Sequence, residues 1–122
     1  MILIVDDDPG TTTILTKLLH KAGHSTQTKS SGSELLASFD QAIPSLVILD
    51  MMMPGVDGLV CLEAIRSHPK WETVPVLVYS ADTSQKRINS AKKLGAQEYV
   101  VKGRVPWNEF LQVINRYERP FN

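Results

Sequence analysis

Short strand-like runs alternate with amphipathic segments five times along the chain, and this alternation restricts the fold more than any other feature. Four runs are apolar, and the second is polar and rich in threonine, which indicates an edge strand; they cover residues 2–5, 25–29, 46–49, 74–79 and 99–101. Continuously apolar strands that alternate with helices imply a parallel sheet covered on both faces. Because such crossovers are right-handed, we expect an α/β fold with one doubly wound sheet.

The segment after the first run has the start and stop signals of a helix. Pro9 suits the first helical position. Asp8 is best interpreted as the cap of this helix, and metal binding is the alternative. Gly23 can end the helix. Apolar residues between them recur at helical spacing and predict its buried stripe: Ile14, Leu15, Leu18, Leu19 and Ala22.

Length and composition narrow the class of protein. The 122 residues suit one domain, here residues 1–122, and the 13 basic side chains balance the 13 acidic ones. This balance gives no general reason to expect nucleic acid or a membrane surface as a partner. The one cysteine excludes an internal disulfide, and no apolar stretch approaches the ~20 residues of a membrane helix. We therefore expect a cytoplasmic protein.

Polar residues follow the apolar runs where each predicted strand ends. Asp6 and Asp7 follow the first run, Asp50 the third, Ser80 the fourth and Lys102 the fifth. In doubly wound sheets the functional crevice lies at the carboxyl ends of the strands, so these five side chains should meet there. Clustered carboxylates repel each other unless a cation lies among them, and oxygen ligands suit Mg²⁺.

This set of residues also suits phosphoryl transfer. A carboxylate oxygen left free beside a metal ion can attack phosphorus. The negative charge of a transferring phosphoryl group could be balanced by Mg²⁺, by the Lys102 ammonium and by the Ser80 hydroxyl.

Four motifs together resemble the receiver domain of response regulators over nearly the whole chain. They are Val-Asp-Asp at 5–7, Leu-Asp-Met-Met-Met-Pro-Gly at 49–55 with Asp-Gly at 57–58, Val-Tyr-Ser-Ala at 78–81, and Gly-Ala at 95–96 leading to Tyr-Val-Val-Lys at 99–102. The resemblance implies a flavodoxin-like (βα)5 fold with five helices and a five-stranded parallel sheet in the order 2-1-3-4-5.

The resemblance assigns roles to the strand-end residues. Asp50 matches the phosphoacceptor, and Asp6 and Asp7 match the acidic pair that holds Mg²⁺ with it. Met52 matches the position whose backbone carbonyl, and not its side chain, ligates the metal.

Three further positions match the residues that respond to the phosphoryl group. Lys102 matches the lysine that pairs with it, and Ser80 matches the switch hydroxyl. Tyr99 matches the aromatic residue that swings inward when the hydroxyl moves; the alternative is a half-buried strand aromatic with no switch role. The family usually has proline after the lysine, and here Gly103 departs from it. Because a cis bond before a residue other than proline costs about 2.5–4 kcal/mol, we expect a trans peptide, or a strained cis one.

The resemblance also implies partners. A histidine kinase or a histidine phosphotransfer protein would supply the phosphoryl group. The domain would be a signalling switch, and not an enzyme, that catalyses its own phosphotransfer and dephosphorylation. The face made by the fourth helix, fifth strand and fifth helix would meet a downstream target or an output domain. We expect a monomer or weak dimer, with no output domain in residues 1–122.

Two other functions stay open at this point. The departure at Gly103 allows a pseudo-receiver, which would be a docking module that is never phosphorylated. A phosphatase with an aspartate nucleophile and Mg²⁺ is also conceivable, but that class needs a second acid two residues after the nucleophile. Met52 occupies that position in this chain.

Overall fold

The computed structural model describes residues 1–119 of the chain. Five strands and five helices alternate: β1 (Ile2–Val5), α1 (Pro9–Lys21), β2 (Thr26–Lys29), α2 (Gly32–Leu36), β3 (Leu46–Leu49), α3 (Gly58–Ser67), β4 (Val76–Ser80), α4 (Gln85–Lys93), β5 (Glu98–Val101) and α5 (Trp107–Tyr117). In this part of the chain no helix combines the length and the apolar character that crossing a membrane requires.

The strands form a single parallel sheet in the order β2-β1-β3-β4-β5. This confirms the predicted fold class and strand order, and it places the polar strand β2 at an edge. Val5 pairs with Leu49, and Ser80 pairs with Val101. Because these partners are the last residues of their strands, the residues that follow them come together at one edge of the sheet.

The sheet buries a separate apolar cluster on each face. Val76 and Val78 pack on one face with α3 and α4, whereas Leu77 and Tyr79 pack on the other face with α1 and α5. This alternation follows from the two-residue period of a strand. As a result, the side chains of Ser80 and Tyr79 lie on opposite faces of the sheet at the end of β4.

One packing prediction is wrong. Ile14 is 47% exposed, because α1 contacts the sheet along the narrower stripe of Leu15 and Leu19 and leaves Ile14 on its flank. A large aromatic side chain outside the regular elements completes the core: Trp71 is 1% exposed. The loop after α3 folds this ring into the core, where its edge meets the ring of Phe39 at 5.0 Å between centroids.

Side chains fix the start of the helices that border the strand ends. Asp8 caps α1 by accepting hydrogen bonds from the Gly10 amide at 3.0 Å and from the Thr11 hydroxyl at 2.9 Å. This confirms the predicted cap at Asp8. Asp57 caps α3 in the same way, through the amide of Val60 at 3.1 Å.

Arg66 of α3 links distant segments at the other end of the sheet. Its guanidinium donates to the carbonyls of Glu72, Val74 and Gly95 at 3.0, 2.7 and 2.8 Å. It also donates to the Gln97 side chain at 3.2 Å. These bonds hold the entrances to β4 and β5 against α3, so they help to set the position of both strands.

Candidate acidic site at the strand ends

Three carboxylates meet at the carboxyl edge of the sheet. Asp6, Asp7 and Asp50 each offer an oxygen, and these oxygens lie within 4.8 Å of one another. Asp6 and Asp50 are 3% and 4% exposed, whereas Asp7 is exposed. An all-oxygen donor set with one side open to water fits Mg²⁺ in charge and ligand type.

Lys102 reaches the same point from the end of β5. Its Nζ lies 2.8 Å from Oδ2 of Asp6 and 3.5 Å from Oδ2 of Asp50. Its backbone amide donates to the Ser80 carbonyl at 2.9 Å and so extends the pairing of β4 with β5. The peptide to Gly103 is trans, and Gly103 has a φ of +81°, which a residue with a side chain rarely adopts.

The charges at the site are out of balance. Burial raises the pKa of the Asp6 carboxyl above its usual range, and the hydrogen bond from Lys102 offsets only part of this. Burial also opposes the Lys102 ammonium, but its hydrogen bond to Asp6 and the charge of Asp50 outweigh burial and raise the pKa of Lys102. Three carboxylates thus share one ammonium in a largely buried site, which favours a bound cation.

Backbone contacts hold the Asp50 side chain in place. The Asp50 amide donates to the Val5 carbonyl at 3.0 Å, and the Met52 amide donates to Oδ1 of Asp50 at 3.2 Å. The Met52 side chain is 55% exposed, while Met51 and Met53 are buried in the core. The three consecutive methionines therefore point in different directions and do not form a sulfur site.

Ser80 and Tyr99 are linked through a residue between them, Asp82. The Asp82 amide donates to the Ser80 hydroxyl at 3.2 Å, and the Tyr99 hydroxyl donates to the Asp82 carbonyl at 2.6 Å. The Asp82 carboxylate accepts from the Ser84 amide at 2.9 Å and pairs with Arg87 of α4 at 3.4 Å. Within the described residues, the Ser80 hydroxyl makes no hydrogen bond to Asp50.

Sequence reasoning did not identify Asp82 as this link. A serine two residues before it was the available signal, since serine hydroxyls often accept from the amide two positions on. The partner at Tyr99, 17 residues away, depends on strand pairing and was not visible in the sequence.

The burial of the Asp6 carboxyl group predicts that Asp6→Asn stabilises the metal-free protein. The pKa of Asp6 is higher in the folded protein than in the unfolded chain. The contribution of Asp6 to stability is therefore complete below the unfolded-state pKa, and it is lost as the pH rises through the folded-state pKa. Asparagine avoids this loss, so we expect a free energy of unfolding about 1 kcal/mol higher at pH 7. The difference should shrink as pH approaches 4.

Urea unfolding in the presence of a chelator, at pH 7 and pH 4, measures both values. Excess Mg²⁺ at pH 7 provides the matched control, because it should stabilise the wild type more than Asp6→Asn. A variant less stable than the wild type at pH 7 would mean that the pair with Lys102 outweighs burial and repulsion.

The parallel sheet in this strand order, with an acidic crevice at its carboxyl edge, defines a flavodoxin-like α/β domain of the chemotaxis-regulator type. The chain belongs to the response regulator receiver domain family, whose model matches residues 2–115. Members of this family are signalling switches of two-component systems.

Individual relatives agree with this assignment. The chain is 34% identical over 101 residues to the DNA-binding response regulator MtrA of Mycolicibacterium smegmatis, covering 83% of this chain and 43% of the relative. It is 31% identical over 121 residues to the transcriptional regulatory protein AfsQ1 of Streptomyces coelicolor, covering 97% and 52%. The chain thus spans about half the length of these relatives.

A solved structure shows the same fold. The chemotaxis protein CheY4 of Vibrio cholerae superposes with a TM-score of 0.86 at 27% identity, covering 95% of this chain and 96% of that one.

Proposed function

We propose that Asp50 accepts a phosphoryl group from a histidine kinase or a histidine phosphotransfer protein, and that the domain thereby switches between two conformations. One observation carries this proposal: the Lys102 ammonium lies 2.8 Å from Asp6 and 3.5 Å from Asp50, beside three carboxylates whose oxygens are within 4.8 Å of one another. A positive group and a candidate cation site therefore flank one buried carboxylate.

In the proposed step, a carboxylate oxygen of Asp50 attacks the phosphorus atom. The bond from phosphorus to the donor nitrogen or oxygen breaks, its electron pair leaves with the donor, and an acyl phosphate remains. The Met52 amide keeps Oδ1 of Asp50 oriented, and Lys102 can pair with the oxygens of the phosphoryl group. These contacts supply positioning and charge, which are the main protein contributions to phosphoryl transfer.

Asp6, Asp7, Asp50 and the backbone carbonyl of Met52 would hold Mg²⁺. A bound Mg²⁺ offsets the charge of the carboxylates and of the transferring phosphoryl group. The close approach of three carboxylates to a single ammonium supports this assignment, because a cation would offset negative charge that Lys102 alone does not balance.

The Ser80 hydroxyl and Tyr99 would couple the presence of a phosphoryl group on Asp50 to a change at the protein surface. Both residues contact Asp82, and Asp82 contacts Arg87 of α4. A shift of the Ser80 hydroxyl toward Asp50 would therefore disturb the loop before α4 and the position of the Tyr99 ring. We propose that this changes the populations of two conformations and so alters the face made by α4, β5 and α5.

That face would meet the downstream target or output domain. It includes the pair of Glu98 on β5 and Arg116 on α5, whose closest atoms are 3.4 Å apart. The transcriptional regulators among the relatives favour control of gene expression through a downstream partner. The balance of 13 basic and 13 acidic side chains gives no reason to propose direct contact between this domain and nucleic acid. We further propose a cytoplasmic protein whose receiver domain is a monomer or weak dimer.

The deciding experiment incubates the protein with Mg²⁺ and acetyl phosphate, and separately with a panel of phosphorylated kinases. We expect one phosphoryl mass by intact mass spectrometry, lost on brief treatment with base. No added mass from either donor class would favour a docking module that is never phosphorylated. Rapid release of phosphate from unrelated monoesters would instead favour a phosphatase.

A further inference from the structure

The side chain of Lys102 receives no support from the residue that follows it. Gly103 has no side chain, and a Cβ built on it would find no atom within 4 Å. The Lys102 amide fixes the backbone through Ser80, but this bond does not orient four methylene groups. The position of the ammonium must therefore come from its own contacts.

Two of those contacts are carboxylates whose charge changes during the proposed reaction. Asp6, at 2.8 Å, would share its carboxylate with a bound cation, and Asp50, at 3.5 Å, would become an acyl phosphate. Neither carboxylate can therefore serve as a constant support for the ammonium.

The third contact is the ring of Tyr79. Nζ of Lys102 lies 5.9 Å from the ring centroid, within the range in which a cation is attracted to an aromatic face. The ring itself is fixed: it is 4% exposed and stacks on Phe110 with centroids 4.4 Å apart and planes 20° apart. The Trp107 ring also packs against the Tyr79 ring, with centroids 5.7 Å apart.

Burial alone does not require an aromatic residue at position 79. Leu77, two residues earlier on the same strand face, fills the same apolar cluster without a ring. A leucine at position 79 would also bury apolar surface, but it has no negative face to attract an ammonium. The ring thus offers an interaction that does not depend on the ionisation of the carboxylates.

We propose that Tyr79 is a positioning residue that keeps the Lys102 ammonium beside Asp50 when the carboxylates are engaged. The proposal rests on the proposed phosphoryl transfer to Asp50. It assigns a role to the ring and none to the hydroxyl.

The test compares Tyr79→Phe, which keeps the ring, with Tyr79→Leu, which removes it. Trp107→Leu is the matched control, since it disturbs the same aromatic cluster without being the ring beside Lys102. The initial rate of phosphoryl uptake from acetyl phosphate with saturating Mg²⁺ should fall about three- to tenfold in Tyr79→Leu. It should stay within about twofold of the wild type in Tyr79→Phe and Trp107→Leu.

A second measurement reads the Lys102 side chain directly. In protein with ¹³C-labelled lysine, the Lys102 ε-methylene signal, assigned by its absence in Lys102→Arg, should be shifted upfield by the ring current. The shift should persist in Tyr79→Phe and vanish in Tyr79→Leu, with and without Mg²⁺.

Three results would overturn the proposal. The first is an equal rate of phosphoryl uptake in Tyr79→Leu and the wild type, and the second is a loss of rate in Trp107→Leu as large as that in Tyr79→Leu. The third is a Lys102 ε-methylene chemical shift that is the same in Tyr79→Leu as in the wild type. If the wild type takes up no phosphoryl group, the proposed function fails by itself. The NMR signal then still decides whether Tyr79 positions Lys102.

Discussion

Replacing Asp50 with asparagine is expected to abolish phosphoryl uptake. The amide has nearly the same shape as the carboxylate but lacks the charged oxygen that attacks phosphorus. The domain should stay folded, because Lys102 keeps its 2.8 Å contact with Asp6 and the removed charge belonged to a mutually repelling cluster. Intact mass after incubation with acetyl phosphate and Mg²⁺ should show no phosphoryl group, at a level below about 1% of the wild type.

Asp57→Asn is the matched control for this experiment. Asp57 lies in the same loop and caps α3, and asparagine caps a helix about as well as aspartate. Phosphoryl uptake should therefore persist in Asp57→Asn. Full uptake by Asp50→Asn, with base-labile mass on another aspartate, would show that Asp50 is not the acceptor.

The strand-end residues could be predicted because a parallel sheet follows simple rules. Buried strands read as apolar runs, and their carboxyl ends share one edge. Asp6, Asp50 and Lys102 directly follow such runs, so the topology alone brings them together, as the distances of 2.8 and 3.5 Å show. Their chemical roles stay predictions until phosphorylation is tested.

Contacts that depend on side-chain direction could not be predicted. Ile14 shares the helical spacing of Leu15 and Leu19, yet the width of the α1 contact leaves it 47% exposed. Arg66 bonds to Gly95, 29 residues away, and no periodic pattern encodes that pairing. The same limit applies to the site, where the link from Ser80 through Asp82 to Tyr99 depends on the path of one loop.

The position of Asp50 depends on a glycine that contacts it through the backbone. Gly58 is the first residue of α3, and its amide donates to the Met51 carbonyl at 3.1 Å. A Cβ at this position would overlap the Asp50 carbonyl oxygen and would lie 2.6 Å from Cα of Met51. Since both neighbours are backbone atoms, no rotation of a side chain can relieve the clash.

Gly58→Ala is therefore expected to lower the free energy of unfolding by about 2–4 kcal/mol, measured by urea denaturation. Under conditions where the variant is still folded, phosphoryl uptake should also fall, because relief of the clash must move either α3 or the Asp50–Met51 peptide. The same substitution at Gly10 provides the control. Gly10 lies in the exposed first turn of α1, where a Cβ would contact only the Asp8 side chain, at 3.3 Å or more.

Gly10→Ala should change stability by no more than about 0.5–1 kcal/mol, and alanine's higher helix propensity favours an increase. The contrast between two glycines in the first turns of two helices then isolates the contact with Asp50 from helix propensity. If Gly58→Ala matched Gly10→Ala in stability and kept full phosphoryl uptake, the close approach of α3 to the Asp50–Met51 peptide would not constrain the acceptor. In that case the orientation of Asp50 would have to depend on the Met52 amide and Lys102 alone.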